Sequence, residues 1–343
     1  MKRLMALLLV LCMLPAATLA EKKIRINFTG DVTLGSEEQN KDKPTSFVSY
    51  AKKYGYDYFF TNVREMFMAD DLTVVNLEGP LTDSSKQENK KKTFRFRGPT
   101  DFVNILLQSG IEAVSLANNH TKDFGKQGFH STQETLTQAK VGWFMEKDVY
   151  LFEKDGIRIA FLSLNATAVN SHKEFMKTEI KRLKEEVGVN AVVYIFHMGS
   201  EYSRRHNKAQ EQAGKMAIDA GADLVVMHHP HVVQGMEIYK NRTICYSLGN
   251  FCFGGNKTIK DMESMVLGAE LTFADDGTYL GQQLTIWPAN ISGTEPDSNF
   301  QPLLVKGEAA DKVMRKIQLD TAFELAPFDE EAGCAVQPYL AAE

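Results

Sequence analysis

Five short apolar runs in this chain each end in a cluster of Asp, Glu, Asn or His, and that recurrence narrows the fold more than any other feature. The runs at 24–29, 72–77, 111–117, 191–196 and 222–227 are rich in β-branched residues and read as buried strands. Gly30-Asp31 follows the first, and Asn76-Leu77-Glu78-Gly79-Pro80 closes the second. Asn118-Asn119-His120 follows the third, His197-Met198-Gly199-Ser200-Glu201 the fourth, and His228-His229-Pro230-His231 the fifth. Amphipathic stretches at 58–68, 100–108, 129–139, 174–187 and 208–220 read as helices, with Gly110 and Gly221 as stop signals. Strands alternating with helices call for an α/β sheet, and in such sheets ligand sites form beyond the carboxyl ends of the strands. Hairpins are expected at 149–153 with 157–164 around Asp155-Gly156, at 236–239 with 243–247, and at 265–273 with 279–287 around Asp276-Gly277. The mixture suits two packed sheets with helices outside. Residues 289–307 are polar and irregular, 311–317 predict a short last helix, and the tail from residue 326 reads as loosely held.

Taken singly, each cluster has an ordinary explanation. Gly-Asp after a strand is commonly a turn, and a carboxylate before Gly-Pro is often a surface loop residue. Three imidazoles within residues 228–231 are harder to explain by packing. Together, carboxylates and imidazoles make a donor set for a divalent transition metal such as zinc, manganese or iron. Two such cations a few ångström apart can activate a water and steady the charge on a transferring phosphoryl group.

Upstream of the third strand, Lys90-Lys91-Lys92 leads into Phe94-Arg95-Phe96-Arg97-Gly98-Pro99. The lysines read as a solvated loop. Arg95 and Arg97 are two apart and share a strand face, where they could clamp a carboxylate or phosphate, with Phe94 and Phe96 facing the core.

The N-terminus has the layout of a secretory signal peptide: Lys2-Arg3, an apolar run at 4–14, small residues up to Ala20, then Glu21-Lys22-Lys23. The run is shorter than the ~20 residues that span a bilayer. The formal net charge is −5 at pH 7, which argues against a nucleic-acid binder. Beyond residue 20 three cysteines remain, Cys245, Cys252 and Cys334, an odd number without metal-binding spacing. Cys245 and Cys252 read as buried apolar residues.

In order and type, the series resembles the calcineurin-like metallophosphoesterases and, more closely, the bacterial CapA family of capsule and poly-γ-glutamate synthesis. The residues carrying the closer match include Gly30-Asp31-Val32-Thr33-Leu34-Gly35, Asn76-Leu77-Glu78-Gly79-Pro80-Leu81-Thr82 and Phe94-Arg95-Phe96-Arg97-Gly98-Pro99. Leu116-Ala117-Asn118-Asn119-His120, His197-Met198-Gly199-Ser200-Glu201-Tyr202 and Asp219-Ala220-Gly221-Ala222-Asp223 continue it. It ends with 228–235 and Tyr246-Ser247-Leu248-Gly249-Asn250-Phe251.

The resemblance implies an α/β chain folded as a four-layer α/β/β/α sandwich of metallophosphatase type over residues 24–290, after a signal peptide at 1–20 and before a C-terminal extension at 291–343. It implies Asp31, Glu78, Asn119, His197, His229 and His231 as ligands of one or two divalent transition metal ions, with Glu78 as the bridging carboxylate. It makes His120 the acid near the leaving group, oriented by Asn119. Glu201 is a further candidate, catalytic or structural, and Arg97 and Arg95 are candidate substrate contacts. Thr33 stands where phosphoesterases carry a metal-binding histidine, and Glu78 where they carry aspartate, so the donor set departs from that of a phosphatase.

The implied function is that of an exported protein, periplasmic or extracellular and associated with the cell envelope, acting in synthesis or export of an anionic surface polymer. Its site would be a metal-dependent hydrolase cleaving a phosphoester or a γ-linked glutamate amide. The alternatives are a polymer-binding or assembly component of a membrane synthesis complex, and a general periplasmic metallophosphoesterase. The implied partners are the polymer or a small-molecule substrate, and no nucleic acid.

Overall fold

The structure is a computed structural model and describes residues 21–255 and 258–342; the expected signal peptide lies outside the described residues. The first part of the chain supplies β1 (Lys22–Thr29), β2 (Asp31–Thr33), β3 (Leu72–Asn76), β4 (Ala113–Ser115) and β5 (Gly142–Phe144). Next come β6 (Tyr150–Lys154), β7 (Ile157–Asn165), β8 (Ala191–His197), β9 (Leu224–His228), β10 (Met236–Tyr239) and β11 (Arg242–Cys245). The last part adds β12 (Asn250–Phe253), β13 (Glu263–Phe273) and β14 (Tyr279–Asn290).

One sheet has the order β5-β4-β3-β1-β13-β14, with short strands added along β14. Its members β5, β4, β3 and β1 are parallel, while β13 and β14 are antiparallel additions. The second sheet has the order β6-β7-β8-β9-β11-β10, with β7, β8, β9 and β11 parallel. A small ribbon of β2 and β12 sits at the carboxyl end of the first sheet. All five expected strand runs form, and the hairpins turn where the sequence places them. Asp155 and Gly156 both take positive φ, as do Lys240 and Asn241 in the second hairpin, which matches the strand twist.

Side-chain alternation explains how the sheets are covered. Ile26, Phe28 and Val74 of the first sheet share one buried cluster with Ile159, Phe161, Val193, Ile195 and Val226 of the second. On the other side of the first sheet, Val75, Val114 and Val266 cluster with Phe47, Phe59, Ile105, Leu106 and Leu136. These last come from α1 (Phe47–Tyr54), the turns before α2 (Arg64–Met68), α3 (Val103–Leu107) and α4 (Gly125–Gln138). Leu162, Val192, Tyr194, Phe196, Val225 and Met227 of the second sheet cluster with Met176 and Ile180 of α5 (Lys173–Arg182) and Ala213 and Ala217 of α6 (Lys208–Ala220). Strands covered on both faces read as unbroken apolar runs, which is why β8 and β9 stand out in the sequence. Each such buried aliphatic side chain stabilises the fold by roughly 1.5–3 kcal/mol. Among the described residues, no helix is long and apolar enough to cross a membrane.

Three expectations need correction. The segment 58–68 is helical only over α2; a 3-10 turn at Tyr56–Tyr58 and the turns that follow it bury Phe59, Phe60 and Val63 without a continuous helix, so the spacing that suits one helical face is met by turns instead. The tail is not loose. Strands Ala335–Val336 and Leu340–Ala341 pair with β14, and Cys334, Ala335 and Gln337 are buried. Phe94 is exposed while Phe96 is buried, because the strand there is only Phe96–Arg97 and its alternation does not reach back to residue 94. The last helix, α7 (Gly307–Gln318), is longer than expected and packs Ala310, Val313 and Ile317 into the cluster between the sheets. Cys245, Cys252 and Cys334 are buried free thiols.

Candidate metal centre

The carboxyl ends of parallel strands from both sheets converge on one cleft. β1 passes through Gly30 directly into β2, which begins with Asp31. The backbone at Gly30 runs so close to Gly249 and Asn250 that a Cβ there would meet the Gly249 carbonyl oxygen at 2.5 Å. The Asp31 N–H donates to that same carbonyl at 2.9 Å. Glu78 follows β3, and its N–H donates to Val32 O of β2 at 2.7 Å. His197 ends β8 and His228 ends β9.

Asp31 is fully buried, and three histidines surround it. His228 Nδ1 lies 3.3 Å from its Oδ1, His231 Nδ1 lies 3.3 Å from its Oδ2, and His197 Nδ1 lies 3.9 Å from Oδ1. Asn76 Nδ2 donates to Asp31 Oδ1 at 2.8 Å, and Asn118 Nδ2 in turn donates to Asn76 Oδ1 at 3.2 Å. Burial works against the charged form of Asp31, but the contacts with His228 and His231 outweigh it and hold the carboxyl well below its usual range. His231 shows the reverse balance. Burial lowers its pKa, yet the carboxylates of Glu78 and Asp31 and the Asn250 Oδ1 at 2.8 Å raise it to about 10.

A second convergence lies alongside. Asn119 Oδ1 is 2.7 Å and His229 Nδ1 is 3.1 Å from His197 Nε2. Three lone-pair-bearing atoms thus meet where at most one or two protons can be shared. Burial lowers the pKa of both His197 and His229, favouring neutral rings with free lone pairs. Glu78 Oε1 is 3.8 Å from His197 Nε2 and 3.7 Å from His120 Nε2.

Glu78 tests whether a cation suits these residues. It is fully buried, and neither carboxylate oxygen has a hydrogen-bond partner. Burial pushes its pKa up to about 8. A buried carboxylate is normally hydrogen-bonded, paired or bound to a metal. Ligand atoms of Asp31, Glu78 and His231 lie within 4.8 Å of one another, and so do those of Glu201, His229 and His231. Carboxylate and imidazole in these combinations fit a divalent transition metal.

His120 points its Nε2 toward Glu78, while Asp123 Oδ2 holds Nδ1 at 2.6 Å. Asp123 is fully buried; it also accepts from Phe96 N–H at 2.9 Å and from the Lys92 ammonium. The Phe96 ring packs 4.4 Å from the imidazole. Burial lowers the His120 pKa, and Asp123 partly offsets it.

The structure therefore brings together Asp31, Glu78, Asn119, His120, His197, His229 and His231, with Glu201 at the exposed rim. Arg97 and Arg95 are engaged elsewhere. The Arg97 guanidinium pairs with Glu38 through two contacts of 2.9 and 3.1 Å and donates to Thr82 O. Arg95 pairs with Glu88 at 2.7 Å and donates to Lys92 O. Sequence reasoning missed Asp123, Asn76, Asn118, His228 and Asn250 as side chains that shape the centre, although four of them lie inside motifs it quoted.

Residues 25–255 match the family model described as bacterial capsule synthesis protein PGA_cap. The chain belongs to that bacterial capsule synthesis family. Two PGA_cap relatives match most of it. The capsule biosynthesis protein CapA of Bacillus anthracis is 27% identical over 299 residues, covering 80% of this chain and 69% of the relative. The PGA biosynthesis protein CapA of Bacillus subtilis (strain 168) is 26% identical over 310 residues, covering 84% of this chain and 78% of the relative. A solved structure, described as a hypothetical protein from Thermus thermophilus, aligns with this PGA_cap chain at a TM-score of 0.46 and 15% identity, covering 77% of this chain and 99% of that one.

Proposed function

We propose that this protein is exported and acts in synthesis or export of an anionic capsule polymer of the poly-γ-glutamate kind, through a divalent-cation-dependent hydrolase centre. The observation that carries the chemical part is Glu78, a fully buried carboxylate with both oxygens free of hydrogen bonds amid Asp31, His231, His197 and Asn119. The family membership and the names of the two CapA relatives support the pathway. The core clusters favour reading the whole as a four-layer α/β/β/α sandwich of metallophosphatase type.

On this reading Asp31, Glu78, Asn119, His197, His229 and His231 hold one or two cations, zinc, manganese or iron. Such an ion supplies Lewis acidity and an activated water near neutral pH. The chain's own residues do the rest. Asp123 fixes His120 with Nδ1 as donor, so Nε2 faces the cleft and carries a proton between water and the leaving group. Asp123 steadies the imidazolium whenever that proton is held. Asn76 and Asn118 set the orientation of Asp31. Lys260 stands 4.8 Å over the Tyr202 ring, whose centroid is 6.0 Å from that of His231. It offers a cation to an anionic substrate at the mouth, a part that Arg95 and Arg97 would have to leave Glu88 and Glu38 to play.

Thr33, in place of a metal-binding histidine, favours a second reading: a polymer-binding or assembly component of a membrane complex in which the cation is structural. The two readings separate on one preparation. Metal content is measured by elemental analysis on the protein purified without chelator, beside a His229→Ala, His231→Ala double variant. Cleavage of phosphoester and γ-glutamyl substrates is then assayed. One or two equivalents in the parent, lost in the variant together with turnover, support the hydrolase. No metal even after reconstitution sinks it, and polymer binding that persists without metal makes the second reading lead.

A further inference from the structure

Glu201 is not an ordinary surface carboxylate. It sits on the turn after β8, two residues beyond Gly199, where φ is +134° and a Cβ would meet the Pro230 ring carbon at 2.9 Å. That turn is stitched to the loop carrying His229 and His231. The Tyr202 N–H donates to Pro230 O at 2.7 Å, Met198 N–H donates to His228 O at 2.9 Å, and Gln234 Nε2 donates to Ser203 O at 2.7 Å. Tyr202, His229 and His231 all hold positive φ, at +59°, +99° and +59°. The two loops thus present one carboxylate and two imidazoles with ligand atoms within 4.8 Å of each other. Glu201 is exposed, His229 is half-buried and His231 is buried, so the triad opens outward.

The donor count points the same way. Asp31, Glu78 and His231 form a deep triad with every member buried. At residue 33, the remaining place on β2 that could add an imidazole, stands Thr33, whose buried Oγ1 has no partner. An imidazole nitrogen has a single lone pair. His231 therefore cannot serve the deep triad and the outer triad through the same atom, and the outer position depends more heavily on its carboxylate.

We infer that Glu201 is a metal ligand: with His229 and His231 it forms a solvent-facing, exchangeable position for a divalent transition metal, outside the deep position that Asp31 and Glu78 share with His197 and Asn119. This rests on the reading that the centre binds divalent cations. The outer ion is the one an anionic group of substrate can reach from solvent, and the deep ion is the one retained. A carboxylate at the rim replaces the missing imidazole and moves the second position outward.

The test titrates the full chain with Co²⁺ alone, following the visible absorption of the bound ion and the equivalents left after dialysis. Parent, Glu201→Gln, Glu201→Asp and Glu78→Gln proteins are compared, each checked by circular dichroism. The expected result is two equivalents in the parent, one lost on dialysis. Glu201→Gln should weaken that dialysable equivalent by about 100-fold or more and leave the retained one in place, since even neighbours of ligands are worth 10–100-fold. Glu201→Asp should fall between, and Glu78→Gln should lose the retained ion. An unchanged titration in Glu201→Gln overturns the assignment, whether the parent holds one equivalent or two. A parent that binds no Co²⁺ brings down the cation reading itself, which is a different result from a parent that binds while Glu201→Gln makes no difference.

Discussion

Asp123 carries more of this site than its place in the sequence suggests. It lies three residues beyond His120 in a polar stretch without periodicity, so no pattern marks it. Its carboxylate nonetheless gathers the His120 ring, the Phe96 N–H and the Lys92 ammonium in a fully buried spot. Removing it leaves the His120 Nδ1 and the buried Phe96 N–H unpaired and the Lys92 ammonium with Asn119 O but no carboxylate, and Asp123→Ala should lose about 3 kcal/mol in urea denaturation. Asp123→Asn should lose less while shifting the imidazole nitrogen resonances of His120, because an amide no longer dictates which nitrogen carries the proton. Asp70 offers a pH test away from the centre. Burial pushes its pKa from 3.8 to about 7, against hydrogen bonds from Thr73 and Asn27. Between those values the folded state keeps a proton that the unfolded chain has released, so stability falls as pH rises. Asp70→Asn should leave stability near pH 4 unchanged and raise it at pH 8 by about 1 kcal/mol, allowing for solvent screening at this half-buried site. Equal stabilities of the two proteins at pH 8 would rule the effect out. Adjacent residues also divide their work in a way composition does not reveal. Asn118 is buried and braces Asn76, while exposed Asn119 turns its oxygen to His197.

At the scale of elements, what could be read in advance was the set of strands buried on both faces, because their apolar runs are continuous and end abruptly in polar residues. β12 could not be read this way. Its pairing with β2 is set by residues more than two hundred positions apart, and locally Gly249-Asn250-Phe251 looks like a turn. The arginines illustrate the same limit: their alternation was legible, but the carboxylates that claim them, Glu38 and Glu88, were not. The ribbon also gives Gly30 its purpose. Gly30→Ala drives a methyl group into two backbone units, Gly249 O at 2.5 Å and Asn250 C at 2.8 Å. A loss of about 1–3 kcal/mol is expected, and because Asp31 is hydrogen-bonded to the same carbonyl, metal content should fall with it. Normal stability with normal metal content would mean that the ribbon yields and does not set the position of Asp31.

For the whole molecule, the proposed centre draws on two sheets at once. If the centre binds cations as proposed, chelation should lower stability by about 2.7 kcal/mol relative to protein in cation at 100 times its dissociation constant. Thermal denaturation would register this as a drop of several degrees, absent in the His229→Ala, His231→Ala variant. The direction follows from where the candidate ligands reside. Glu78 and Asn119 are delivered by the first sheet, Asp31 by the ribbon that continues β1, and His197, His229 and His231 by the second sheet. A chain with only one sheet assembled offers half a coordination sphere, too few donors to compete with water for an ion. Cation uptake then becomes a record of finished folding: an ion added to a refolding chain should be captured only in the last step, when the two halves close on each other.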